Sequence, residues 1–205
     1  MDEVNDTYKT IATASEEVLY KDKKSKFYGY AYPIVKEGEV KEIIETLKKK
    51  HPSANHVCYA WQIGVKSPVL YRANDDGEPN NSAGMPIYGQ LQSFEVTNAL
   101  VAVVRIFGGT KLGVGGLISA YRSTAQLALE NSKIVTRTIK QSFHLHFTYP
   151  QIDVVMRTIK QKELQIVSQK MEMECEIVIL VREKDAHEVE KTFKSIQGVA
   201  IRKED

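Results

Sequence analysis

The spacing of apolar positions along this chain changes several times, and each change marks an element. Residues 25–35 mix aromatic and small residues, and residues 16–20 precede them across a charged turn, which predicts two strands. From Glu39 onward Val40, Ile43, Ile44 and Leu47 recur at helical spacing, and Pro52 follows a lysine-rich end; this is an amphipathic helix with its stop signal. Residues 56–63 and 68–72 form two extended runs joined around 64–67, which predicts a hairpin in an antiparallel or mixed sheet. Residues 74–86 hold turn formers and no apolar period, so they predict a long loop, with a helix starting near Met85 and Pro86. Residues 99–107 are almost uninterruptedly apolar, the pattern of a central strand covered on both faces. Helical spacing returns over 116–130 through Leu117, Tyr121, Ala125 and Leu129, and 134–138 predict one more short strand.

After Lys140 glycine almost vanishes, leaving only Gly198, so a boundary is expected near 138–142, with one domain over 1–138 and another over 142–205. The second part reads as strand (143–149), helix (152–160), strand (164–170), strand (174–181), helix (186–195) and strand (198–202). That βαββαβ order is the ferredoxin-like split. Together the two parts predict an α+β protein.

Composition narrows the class. A hydrophobic content of 42% with 26% charged residues belongs to folded globular chains, which excludes wholesale disorder. No apolar run approaches the length of a membrane span, and the acidic Met1, Asp2 and Glu3 are unlike the basic opening of a secretory signal, so no membrane association and cytoplasmic residence are the expectations. The two cysteines, Cys58 and Cys175, are far apart and suggest neither a disulfide framework nor a zinc ribbon. Net charge is +2; residues 1–140 carry 18 basic against 15 acidic side chains, and the remainder 10 against 11. That balance lacks the footprint of a strong duplex-DNA binder while allowing a local RNA or phosphate site. Two lysine clusters, Lys21, Lys23, Lys24, Lys26 and Lys48 to Lys50, suit a solvated strand edge and a helix C-terminus, or a nucleic-acid contact.

Residues 103–117 hold five of the twelve glycines between the apolar strand and the next helix. A strand, a glycine loop and a helix N-terminus can bring backbone N–H groups against an anion. Candidate phosphate or nucleic-acid contacts are Arg105, Gly108, Gly109, Lys111, Gly113, Gly115 and Gly116, with N–H groups of Gly115, Gly116 and Leu117 facing the ligand. The order Gly-x4-Gly-Lys-Ser/Thr is absent, so this is not a P-loop. Glycines that merely allow a tight turn are the competing reading. Asp75, Asp76 and Glu78 place three carboxylates in one loop, where they could hold Mg2+, serve as acid and base, or cap backbone N–H groups in a rigid turn. His56, Ser82 and Gly84 complete a cleft expected to join the two loops.

His56 and Cys58 alternate on one strand face, as do His144 and His146, and Tyr28, Tyr30 and Tyr32 form a third alternating stripe. The first pair could be a base and a nucleophile or an ordinary core pair. Without a further ligand the second pair reads as surface residues, and the tyrosines could stack bases or pack the sheet.

Residues 24–27, 54–60, 75–79, 82–86 and 104–113, with sequences KSKF, ANHVCYA, DDGEP, SAGMP and VRIFGGTKLG, resemble the IMPACT/YigZ family in order and spacing over about residues 6–135. The βαββαβ tail is similar to the small C-terminal domain of its bacterial members. Two departures stand out: Ile106 where the family usually has an aromatic, and Asn81 where it usually has glycine. The resemblance implies a first domain like the second domain of ribosomal protein S5 and a ferredoxin-like tail like domain V of elongation factor G. For eukaryotic members it implies translational control through an activator of the starvation-responsive initiation-factor kinase. No reaction comes with it. Two functions therefore compete: a noncatalytic regulator that binds RNA, the ribosome or a translation factor, and a metal-assisted enzyme acting on a phosphorylated or nucleotide substrate.

Overall fold

The computed structural model describes residues 6–204; Met1, Asp2 and Glu3, read above against a secretory signal, lie outside the described residues. Two units separate, Tyr8–Arg137 and the chain from Thr138 onward together with Asp6 and Thr7. Among the described residues no helix is long and apolar enough to cross a membrane.

In the first unit β1 (Thr7–Ile11) leads to β2 (Val18–Asp22), β3 (Ser25–Pro33), α1 (Gly38–Lys50), β4 (His56–Ile63) and β5 (Leu70–Asn74). Then follow α2 (Gly84–Ser93), β6 (Ala99–Ile106), α3 (Gly113–Glu130) and β7 (Ile134–Thr138). Five strands make one sheet in the order β2-β3-β6-β4-β5, every neighbour antiparallel, while β1 and β7 pair separately. The apolar run of β6 is explained by its central place. Val101 and Val103 face α2 and α3 with Phe27, Cys58, Ile87 and Leu129, whereas Ala102 and Val104 face α1 with Tyr30, Val57 and Leu47. The tyrosine stripe belongs to that second face, Tyr28 and Tyr30 standing against His51 at the end of α1 with ring centroids 4.7 and 5.9 Å away. It packs the sheet.

Helix α3 begins three residues earlier than the apolar spacing suggests. Glycine hides the start, because Gly113, Gly115 and Gly116 contribute no apolar side chain to the period. With Leu112 at the N-cap, the helical geometry leaves the N–H groups of Gly113, Val114 and Gly115 without intrahelical partners. Those of Gly116 and Leu117, expected to face a ligand, turn back into the helix.

The second unit contains β8 (Lys140–Thr148), α4 (Ile152–Gln161), β9 (Gln165–Met171), β10 (Glu174–Arg182), α5 (Ala186–Lys194) and β11 (Val199–Lys203). Its antiparallel sheet runs β11-β8-β10-β9. Phe143, Leu145, Phe147, Ile177, Ile179 and Val181 pack with Val155 and Ile159 of α4 and Val189 and Phe193 of α5. Strand alternation turns His144, His146 and Glu176 to the opposite, helix-free face. Asp6 reaches the end of β10, where Arg182 Nε and NH2 donate to its two carboxylate oxygens at 2.5 and 3.2 Å. That fork holds the Asp6 carboxyl below the usual carboxylate range.

Candidate functional site

The glycine loop and the acidic loop meet. They bound a cavity of about 410 Å3, walled by Glu78 and Pro79 on one side, Lys111, Leu112, Gly113 and Val114 on the other, and His56 and Arg105 from neighbouring strands at its back. Phe107 and Leu117 make much of its lining apolar.

Glu78 joins the walls. Its carboxylate, almost fully buried, accepts from Arg105 NH1 at 2.6 Å and from the Tyr121 hydroxyl of α3 at 2.8 Å. Arg105 lies between two rings, its guanidinium carbon 5.5 Å from the Phe27 centroid and 5.4 Å from that of Phe107. Among the described residues Arg105 Nε has no hydrogen-bond partner, although the side chain is only 7% exposed. His56 reaches the same carboxylate, Nε2 standing 3.9 Å from Glu78 Oε1, while its Nδ1 is 2.8 Å from the Asp76 carbonyl. A carbonyl only accepts, so Nδ1 carries the proton.

Asp75 and Asp76 have different employment. Asp75 accepts from the N–H groups of Asn81, Ala83 and Gly84 at 2.8 to 2.9 Å, folding residues 75–84 around its own carboxylate and opening α2. Asp76 accepts from Val57 N–H at 2.7 Å and stands 3.6 Å from Lys48 Nζ. Ser82 Oγ donates to the Pro79 carbonyl at 2.6 Å, and a Cβ at Gly84 would come within 2.5 Å of the Asn74 nitrogen. Asp75, Asp76, Ser82 and Gly84 therefore build the turn beside the cavity without lining it. The expected cleft keeps His56 and Glu78 from that set.

The glycine loop divides in the same way. A Cβ on Gly108 would stand 2.0 Å from the Lys24 carbonyl carbon, so Gly108 exists to let the β2–β3 turn close on the loop. Gly109 and Gly113 take φ of +88° and +75°. Gly115 has an ordinary φ and nothing within 4 Å of a Cβ; neither strain nor crowding requires it. The turn that Gly108 receives is itself unusual, since Lys23 and Lys24 adopt φ of 42° and 68°. The lysine cluster of the β2–β3 hairpin thus borders the glycine loop.

His56 and Cys58 do share a face, but they do not form a catalytic pair. Burial pushes the Cys58 thiol far up, and its single S–H has two acceptors in reach, the Asp75 carbonyl at 3.0 Å and the Tyr121 hydroxyl at 3.3 Å. Sequence reasoning missed Tyr121, which reads as one more member of an apolar stripe; a buried tyrosine needs a partner for its hydroxyl, and that is the signal that could have found it. It also missed Asn55, whose Oδ1 accepts Phe107 N–H at 2.8 Å and holds the loop entry.

With this geometry in hand, comparisons place the chain among known proteins. The Impact N-terminal domain model matches residues 23–129. The chain is 30% identical to IMPACT family member YvyE of Bacillus subtilis over 88% of its own length and 82% of that relative. It is 30% identical to IMPACT family member YigZ of Escherichia coli over 77% of this chain and 78% of that one. A crystal structure described as a hypothetical protein superposes with a TM-score of 0.72 and 24% identity, covering 98% of both chains.

Proposed function

Because the chain belongs to the IMPACT family, we propose that it is a noncatalytic regulator associated with translation, which holds a phosphate-bearing surface of an RNA, the ribosome or a translation factor in the cleft of its first unit. The finer fold reading goes with it: a first unit like the second domain of ribosomal protein S5 and a ferredoxin-like second unit like domain V of elongation factor G. The strand order β11-β8-β10-β9 with both helices on one face supports the latter.

The observation that carries the proposal is a donor-rich, cationic wall. Three N–H groups at the start of α3 and the Lys111 ammonium stand at the cavity, with Arg105, paired with Glu78, at its back and the lysine hairpin seated on Gly108 beside the glycine loop. Helix N-termini and clustered cations attract phosphate, and the exposed rings and aliphatic side chains of Phe107 and Val114 give a base or a partner's side chain something to lie on.

Nuclease-treated protein is expected to co-sediment with ribosomes or bind structured RNA in a salt-sensitive way. Lys111→Glu and Val114→Asp should each remove that binding. Asp at the first turn of a helix favours the helix, so loss with Val114→Asp cannot be laid to unfolding. Absence of salt-sensitive binding to either target, or binding that survives both substitutions, would sink the proposal. The enzyme reading fares worse, because Asp75 and Asp76 already accept from backbone N–H groups and Glu78 from Arg105 and Tyr121. Mg2+-dependent phosphate release that disappears with Asp76→Asn would reverse that order.

A further inference from the structure

The helix-free face of the second unit carries a cluster that the proposed regulator does not use. His144 and His146 stand two residues apart on β8 with rings nearly parallel, 15° between planes and 6.3 Å between centroids. Strand register sets Glu176 of β10 opposite His146. Glu176 Oε1 lies 2.8 Å from His144 Nδ1 and 3.9 Å from His146 Nε2, and all three donor atoms fall within 4.8 Å of one another. A second carboxylate serves the far side of the His144 ring, with Glu204 Oε2 3.9 Å from Nε2.

We propose that His144, His146 and Glu176 bind a divalent transition-metal ion of the zinc kind, with Glu204 as a positioning residue for the His144 ring. Zinc bonds of about 2.0–2.1 Å in a tetrahedron put neighbouring donors about 3.3 Å apart, a spacing these atoms reach by small side-chain rotations. Two imidazoles and one carboxylate favour such an ion over Mg2+ or Ca2+, which take oxygen. Glu204 stands within ion-pair range of Nε2 but beyond hydrogen-bond distance; a side-chain rotation that closed the gap would make it the carboxylate that holds a ligating histidine in one tautomer. Room for solvent or substrate in the remaining position is present, because His146 and Glu176 open onto a cavity of about 730 Å3. Lys170 faces Glu176 and Arg202 faces His144 in register, and their charge lowers the affinity without removing a ligand.

Zn2+ titrated calorimetrically into the full chain in a non-coordinating buffer should saturate at one ion per chain. His144→Gln and His146→Gln should each abolish saturable binding, and Glu204→Gln should weaken it about tenfold and shift the visible bands of the Co2+ form. His187→Gln, on the exposed side of α5, should change nothing. Far-UV circular dichroism reports whether each variant is folded; these partly exposed side chains leave the apolar core intact. Failure to saturate, equal binding of Mg2+, or Zn2+ binding that survives both histidine substitutions would overturn the assignment.

Discussion

The acidic loop and the glycine junction are equally conspicuous in sequence, and the fold treats them in opposite ways. Carboxylates at Asp75 and Asp76 are consumed locally, accepting from backbone N–H groups of their own turn and of β4. The glycine junction keeps its donors: among the described residues the first N–H groups of α3 have no intrahelical or side-chain cap partners. What separates a structural from a ligand-facing polar cluster is therefore whether its hydrogen-bonding capacity is already filled. Glu78 belongs by sequence to the first region and by contact to the second.

Removing that link should give the largest effect. Glu78→Gln leaves Arg105 buried without its counter-ion, and a loss of about 4 kcal/mol in urea unfolding is expected; an unchanged midpoint would mean that the two walls are independent. Gly108→Ala should follow at about 3 kcal/mol, since the new methyl meets the Lys24 backbone. Asp75→Asn comes next, about 2 kcal/mol through weakened acceptance from three N–H groups, with the affinity of the folded protein for ribosomes or RNA retained. If Asp75→Asn removed binding from a folded protein, the contrast between the loops would break. The smallest effect tests the opposite sheet face. Burial lowers the His51 pKa against the raising influence of Glu17, so folding favours neutral His51. Its contribution is complete above the ordinary histidine range, near 6.5, and is lost as pH falls through the lowered folded value. Glu17, whose carboxyl is held low chiefly by the Tyr30 hydroxyl, stays ionised over that interval. The unfolding midpoint should fall modestly from pH 7 to pH 5, and less so in His51→Gln.

Elements whose side chains follow one period were legible in the sequence: α1 through Val40 and Leu47, β6 through its apolar run, and the alternation of strand, helix and strand after Lys140. The start of α3 was not, because glycine carries no hydrophobic signal. Whether the two loops meet was open in the sequence, and so was the sorting of their residues, since no local pattern tells that Asp75 caps Gly84 while Glu78 crosses to Arg105. His144 and His146 looked like surface residues because their partner lies 30 positions or more away, on a strand aligned only by the folded sheet.

The left-handed turn at Lys23 and Lys24 has an implication for anyone improving this protein. Two-residue hairpins of this twist prefer Asn-Gly, and a lysine at positive φ costs on the order of 1 kcal/mol. A laboratory selection for heat resistance would accordingly replace this pair early. The product would be a hardier scaffold stripped of two charges beside its glycine loop, so screening for thermal tolerance alone would discard a cationic feature of the proposed binding surface.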